Sequence, residues 1–344
     1  MKAIVAHGVG GPEVLRPGSA PDPEPGPGDA LIAVRATAVN RADILQRRGL
    51  YPPPAGTSSV LGLEAAGEVI MAPAGGSLVP GDRVMCLVGG GGYAERLAVP
   101  AAQCMSVPDR LSWAEAAAIP EAFITAYQGL VRLGRLGEGD TALVHSIASG
   151  VGTAAAQVCR AIGARCIGTS RGPVRAFAGT AWGATGLVVT DATFAGEVHA
   201  LTGGRGADVI LDLVGAKYLA ENVASLAPNG RLVLTGLVGG RTAGLDLGAL
   251  IAAQGTILAS SLRARPPGEI AEIMRDFAAW ALPRFAHGDL SPVVHAVLPL
   301  DEAAEAHRIV ESNQAVGKVV LLIDAPSPGI SPADPPGTPR LARS

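Results

Sequence analysis

Residues 149–155 carry the most specific chemical signal in this chain. Gly150-Val151-Gly152-Thr153-Ala154-Ala155 fits the pattern G-x-G-x-x-G/A, follows a short apolar run over 141–144 and opens a helical pattern. In that setting Gly150 permits a turn that a Cβ would obstruct, and Gly152 lets the backbone approach a pyrophosphate. Ala155 lets the helix pack close to its strand. The free N–H groups and positive dipole end of the helix then face the phosphates. The expected chemistry is dinucleotide binding, with Ser149, Gly150, Val151 and Gly152 in the turn.

The second strand of such a unit ends about 20 residues later, where an acidic residue holds the ribose 2′-hydroxyl of NAD. Here the strand reads as 165–169 and runs into Thr169-Ser170-Arg171-Gly172-Pro173-Val174-Arg175, with no Asp or Glu. A carboxylate repels a 2′-phosphate and an arginine binds one. One charge-assisted hydrogen bond, about 1.5–3 kcal/mol, favours NADPH over NADH by about 10- to 100-fold. Thr169, Ser170, Arg171 and Arg175 are therefore expected at the cofactor, which is read as NADPH.

These residues need a scaffold. Residues 1 to about 120 hold short apolar runs (30–34, 65–70, 82–87) between Gly- and Pro-rich turns, which predicts a compact β-rich domain. From Trp113 the pattern becomes helical. Strand-like runs at 187–190, 209–213, 231–235 and 256–262 then alternate with helical ones, predicting βαβ units and a doubly wound parallel sheet. Helical sequence returns at 269–282 and 301–311, and a last strand spans 318–323. The tail 325–344, with six prolines among small polar residues, reads as disordered.

Composition bounds the function. The 344 residues suit two domains, and 48% hydrophobic content with only 3% aromatics predicts cores of Ala, Val, Leu and Ile. A net charge of -3 gives no general attraction to nucleic acid or anionic membrane. No apolar run reaches membrane-spanning length, and 1–5 reads as a strand, so a cytoplasmic location is expected. Cys86, Cys104, Cys159 and Cys166 lack metal or redox spacing and read as reduced thiols. The six histidines show no ligand or catalytic cluster.

The run Ala38-Val39-Asn40-Arg41-Ala42-Asp43 through Gly49-Leu50-Tyr51-Pro52-Pro53-Pro54, with Leu61-Gly62-Leu63-Glu64, Ala118-Ile119-Pro120-Glu121-Ala122-Phe123-Ile124-Thr125-Ala126, Leu234-Thr235-Gly236-Leu237, Ser260-Ser261-Leu262-Arg263-Ala264-Arg265 and Gly317-Lys318-Val319, resembles the medium-chain dehydrogenase/reductase superfamily. The likeness is strongest to its zinc-free quinone oxidoreductase branch, of the tumour-suppressor-inducible type. It implies an α/β fold: a GroES-like β-rich catalytic domain over 1–120, completed by about 288–324, and a Rossmann NADPH-binding domain over 121–287. Where zinc relatives carry Cys-x-x-Asp and Gly-His-Glu, this chain has Asn40-Arg41-Ala42-Asp43 and Gly62-Leu63-Glu64. Amide and leucine cannot replace thiolate and imidazole at tetrahedral zinc, so no metal is expected.

The resemblance places Tyr51, Asn40, Ser149, Asp43 and Thr125 at the nicotinamide and substrate, and Gly236, Leu237, Ser261, Leu262, Arg263 and Lys318 along the cofactor cleft. Tyr51 is the first choice for oxyanion donor or proton source, as a phenol is a neutral donor near pH 7. Asn40-Arg41-Ala42-Asp43 also reads as a helix start with Asp43 back-bonding to the cap. Departures from the family include Ser146 where Gly is usual, Gly172 and Val174 or Arg175 where Ser and Lys grip the 2′-phosphate, a change at Val189-Thr190, and Ala315 for Asn. The expected activity is NADPH-dependent reduction of a quinone or other conjugated carbonyl. The alternatives are an enoyl or alkenal reductase and, remotely, a non-catalytic or RNA-binding crystallin-like protein. A homodimer paired through strand 256–262 is also implied.

Overall fold

The computed structural model describes residues 1–323, so the tail 325–344 falls outside the described residues. The chain opens with β1 (Lys2–Ala6), β2 (Leu15–Ser19), β3 (Asp29–Val39) and helix α1 (Arg41–Arg47). It continues through β4 (Glu64–Met71), β5 (Arg83–Leu87), β6 (Arg96–Pro100), β7 (Cys104–Ser106), α2 (Trp113–Ala117) and α3 (Pro120–Tyr127). β1 and β2 form an antiparallel pair. In β3 every second residue from Ala30 to Ala38 is buried, the period of a strand packed on a core, and it pairs with β4, β6 and the last strand of the chain.

The second sheet begins with β8 (Thr141–Val144), then α4 (Gly150–Ile162), β9 (Arg165–Ser170), α5 (Pro173–Ala178), β10 (Ala184–Val188), α6 (Ala195–Leu201) and β11 (Ala207–Asp212). It ends with α7 (Leu219–Ala224), β12 (Leu226–Leu234), α8 (Leu247–Ala252) and β13 (Thr256–Ala259). Its order is β10-β9-β8-β11-β12-β13, every pair parallel, the doubly wound order that reverses beside β8. After α9 (Pro267–His287), β14 (Val294–Pro299) and α10 (Ala303–Glu311), β15 (Lys318–Leu322) returns to the first sheet, parallel to β14 and antiparallel to β3.

The α/β class expected from the sequence is the class observed; several boundaries differ. β10 starts at Ala184 rather than 187, because Gly183 at φ 88° ends the preceding turn. β12 starts at Leu226 rather than 231: Pro228 and Gly230, residue types that disfavour strand interiors, lie on a strand whose register shifts against β11. α9 runs past Pro283, since its last turn seats Phe285 edge-on to Phe123 at 5.0 Å. β13 stops at Ala259 rather than 262.

The main core is built from Ala, Val, Leu and Ile, with alanines prominent in α2, α3 and α4. Small side chains there let α4 lie close to its sheet. All four cysteines are free, and three are buried. Among the described residues no helix is long and apolar enough to cross a membrane.

Candidate active site

The fingerprint turn forms as its residue types dictate. Ser149 is the N-cap of α4, its Oγ accepting from Gly152 N–H at 3.0 Å, and Gly163 at φ 83° ends the helix. A Cβ on Gly152 would lie 2.3 Å from Ser146 O, so in this chain Gly152 is required by the fold of the turn itself. Ser146 takes the left-handed φ of 56°. A Cβ on Gly150 would lie 2.5 Å from Lys318 Cδ and 3.7 Å from Ala122 Cβ. Gly317 N–H bonds Ala148 O at 2.8 Å, so the turn, the start of β15 and the start of α3 meet at one point.

At that point lies a polar cluster. The buried Lys318 ammonium donates to Val39 O (3.2 Å), Asn40 Oδ1 (2.5 Å) and Glu64 Oε1 (2.7 Å). An ammonium only donates, which fixes the amide orientation of Asn40. Its Nδ2 therefore donates to Glu64 Oε1 at 2.8 Å and to Ala38 O at 3.2 Å. The other Glu64 oxygen accepts from Glu121 N–H at 2.8 Å.

Asp43 is fully buried, its carboxylate accepting from Asn40 N–H (2.8 Å), Gly62 N–H (3.0 Å) and Tyr93 O–H (3.4 Å). Burial pushes its pKa up to about 6, opposed by those two N–H groups and Lys318. Behind it Tyr93 Oη meets His307 Nε2 at 3.1 Å, and Arg47 Nη1 meets His307 Nδ1 at 3.1 Å. Arginine has no acceptor, so Nδ1 accepts and Nε2–H donates to Tyr93. The chain of donors points one way, toward Asp43.

Tyr51 is half-buried, with the Arg263 guanidinium 5.2 Å from its ring centroid. Arg263 Nε and Nη2 donate to Gly89 O at 2.9 and 2.6 Å, and Nη2 also to Gln46 Oε1 at 2.6 Å; Nη1 is buried without a partner. Thr125 is buried one turn of α3 beyond Glu121, on the same face. Leu262 is buried, while Ser261 and Leu237 are exposed.

At the end of β9, Thr169 turns inward. His145 Nε2–H donates to Asn222 Oδ1 at 2.6 Å, leaving Nδ1 to accept from Thr169 Oγ1 at 2.8 Å. Burial pushes His145 down to about 4, so the ring is neutral. Ser170 is half-buried and Arg171 exposed. Arg175, half-buried on α5, has a buried Nε with no partner. Burial foremost, then the charges of Arg171 and Arg41, lower the Arg175 pKa, so the three guanidiniums are within electrostatic reach of one another. Arg41 begins α1 and donates to Val310 O (3.1 Å) and Asn313 Oδ1 (2.9 Å).

These residues fit a nicotinamide dinucleotide. The N-terminus of α4 offers N–H groups, while Arg175 Nε and, just before Gly236, the buried Thr235 Oγ1 lack partners that phosphate and ribose oxygens supply. They do not fit zinc. The positions of a tetrahedral site hold an amide bound by an ammonium and a leucine, and among the described residues no group of three His, Cys, Asp or Glu could hold a metal. Glu64, Glu121, Arg41, Tyr93 and His307 were not singled out from the sequence as site residues. The signal available was Glu64 inside the altered metal motif and Glu121 directly after a helix-starting proline.

Two family models match: alcohol dehydrogenase GroES-like domain over 26–109 and zinc-binding dehydrogenase over 150–280. A quinone oxidoreductase of Pseudomonas aeruginosa is 32% identical, covering 93% of this chain and 99% of that one. A Streptomyces venezuelae pikromycin polyketide synthase component is 34% identical over 92% of this chain, but only 8% of its own length is spanned. A mycobacterial structure complexed with NADPH has a TM-score of 0.84 at 34% identity, covering 94% of this chain and all of the other. The chain belongs to the quinone oxidoreductase family of medium-chain dehydrogenases/reductases, a GroES-like unit joined to a Rossmann sheet, and is an oxidoreductase.

Proposed function

We propose that this protein is an NADPH-dependent, metal-free reductase of quinones and related conjugated carbonyls. The observation that carries the reading is the meeting of the α4 turn with the Lys318–Asn40–Glu64 cluster, in place of a metal site, within reach of the charges of Arg263 and Asp43. Without a Lewis acid, hydride acceptance is easiest for a conjugated acceptor, which spreads the developing charge onto an oxygen where fixed donors stabilise it. The reduced nicotinamide supplies the hydride. The protein's part is to hold the dinucleotide at Gly150, Val151 and Arg175, exclude water, and present Tyr51, braced by Arg263. Ser149, Asn40, Asp43 and Lys318 keep the floor rigid, while Arg171, Arg175 and Arg41 favour the 2′-phosphate.

The test follows nicotinamide oxidation with a benzoquinone, a phenanthrenequinone and an enone, each with NADPH and NADH. Quinone reduction much faster with NADPH supports the reading. The likeness to a polyketide synthase component favours a second reading, an enoyl reductase, and turnover of the enone alone selects it. No turnover of any acceptor overturns both. We also propose a homodimer through the edge strand β13, beside which Leu247 and Ile251 of α8 are exposed. A monomer by light scattering at micromolar concentration overturns that arrangement.

A further inference from the structure

Three carboxyl groups lie around the start of α3, and one of them has no hydrogen-bond partner among the described residues. Glu64 is engaged by Lys318, Asn40 and Glu121 N–H, and Asp43 by its own three donors. Glu121, second residue of α3, gives its N–H to Glu64, but among the described residues none hydrogen-bonds its carboxyl. The residue is half-buried, not sealed in the core. It adjoins Ala122, which packs at the fingerprint turn, and lies one helical turn before Thr125.

We propose that Glu121, the carboxyl without a protein partner beside the fingerprint turn, is the proton donor of the reaction. The proposal rests on the reductase reading above. Such a reduction needs a proton as well as a hydride. As the acceptor takes a hydride, two electrons with it, from the reduced nicotinamide, the Glu121 O–H bond breaks and a new O–H bond forms on the acceptor oxygen. The acceptor is reduced, the nicotinamide is oxidised, and Glu121 remains as a carboxylate that water reprotonates after product leaves.

The electrostatics agree with this role. Burial, then Glu64, then Asp43 push the Glu121 carboxyl up to about 8, while Lys318 and Arg263 pull the other way. Those four groups, from β4, α1, β15 and the loop after β13, are the charges facing it. An acid that ionises near the working pH is well matched to general acid catalysis. Its sign is definite: the competent acid form is present below about 8 and lost above.

The experiment pairs a titration with kinetics on the full chain. The unloaded protein, labelled with ¹³C at glutamate carboxyls, is titrated by NMR beside Glu121→Gln. One carboxyl ionising near pH 8, and missing from the variant, is expected. With the best quinone, Glu121→Gln is expected to lower kcat about 100-fold or more. It should also abolish the fall in rate above pH 8, which Glu121→Asp retains. If no carboxyl titrates so high, or if Glu121→Gln turns over at the wild-type rate, the proposal is overturned and the reductase reading stands. If wild-type protein reduces no acceptor, the reading itself fails and the proposal with it.

Discussion

Lys318 Nζ lies 2.7 Å from Glu64 Oε1, and the two side chains are 5% and 0% exposed. The pair joins the first residue of the last strand to the first residue of β4. A buried ion pair adds little over apolar packing, but removing one partner strands the other charge. Lys318→Met is therefore expected to cost about 3–5 kcal/mol in urea unfolding. Combining it with Glu64→Leu should cost less than the sum of the two by at least about 1 kcal/mol. Strict additivity would show that the pair is not coupled.

The proposed preference for NADPH assigns the 2′-phosphate to Arg175 on α5 and Arg41 at the start of α1. Arg175→Ala and Arg41→Gln are each expected to weaken NADPH about 10- to 100-fold and NADH hardly at all, measured by fluorescence titration. Equal losses for both dinucleotides would place these arginines in the scaffold.

Tyr51→Phe keeps the ring under the Arg263 guanidinium and removes only the hydroxyl. Loss of an oxyanion donor is worth about 100-fold in kcat/KM for good acceptors, with NADPH affinity unchanged. Unchanged kcat/KM would remove Tyr51 from the chemistry and leave the donors on α3 and β15 to account for it.

His145 ties acid sensitivity to the cofactor sheet. Its folded pKa, about 4, is below the unfolded value of 6.5, so the stability it lends is full above pH 6.5 and is lost as pH falls toward 4. The stability gap between wild type and His145→Gln should be flat above pH 6.5 and shrink by about 3 kcal/mol on acidification to pH 4. A gap independent of pH would mean that burial leaves the pKa of the ring at its unfolded value.

Much of this was legible in the residues. Period-2 burial in β3, the glycine turn and the Ser149 cap are local signals, and they gave the α/β class and the start of α4. Strand ends were less legible where Pro228 or Gly186 sits within a strand, since tertiary pairing overrides local propensity there. The polar cluster was hardest to see. Asn40, Glu64, Glu121 and Lys318 lie on four different elements, and no spacing in the chain reports that sheet pairing brings them together.

The return of β15 to the first sheet sets the order in which the molecule is made. Its partner β3 is made long before it, and the edge that β15 fills stays open until the segments between them have been synthesised. Until then Glu64 has no ammonium and the fingerprint turn has no strand to rest on. A growing chain thus carries an unfinished sheet, exposed to other chains, through most of its synthesis. The finished cleft is a late product, and a chain truncated shortly before Lys318 would lack both its last strand and its site.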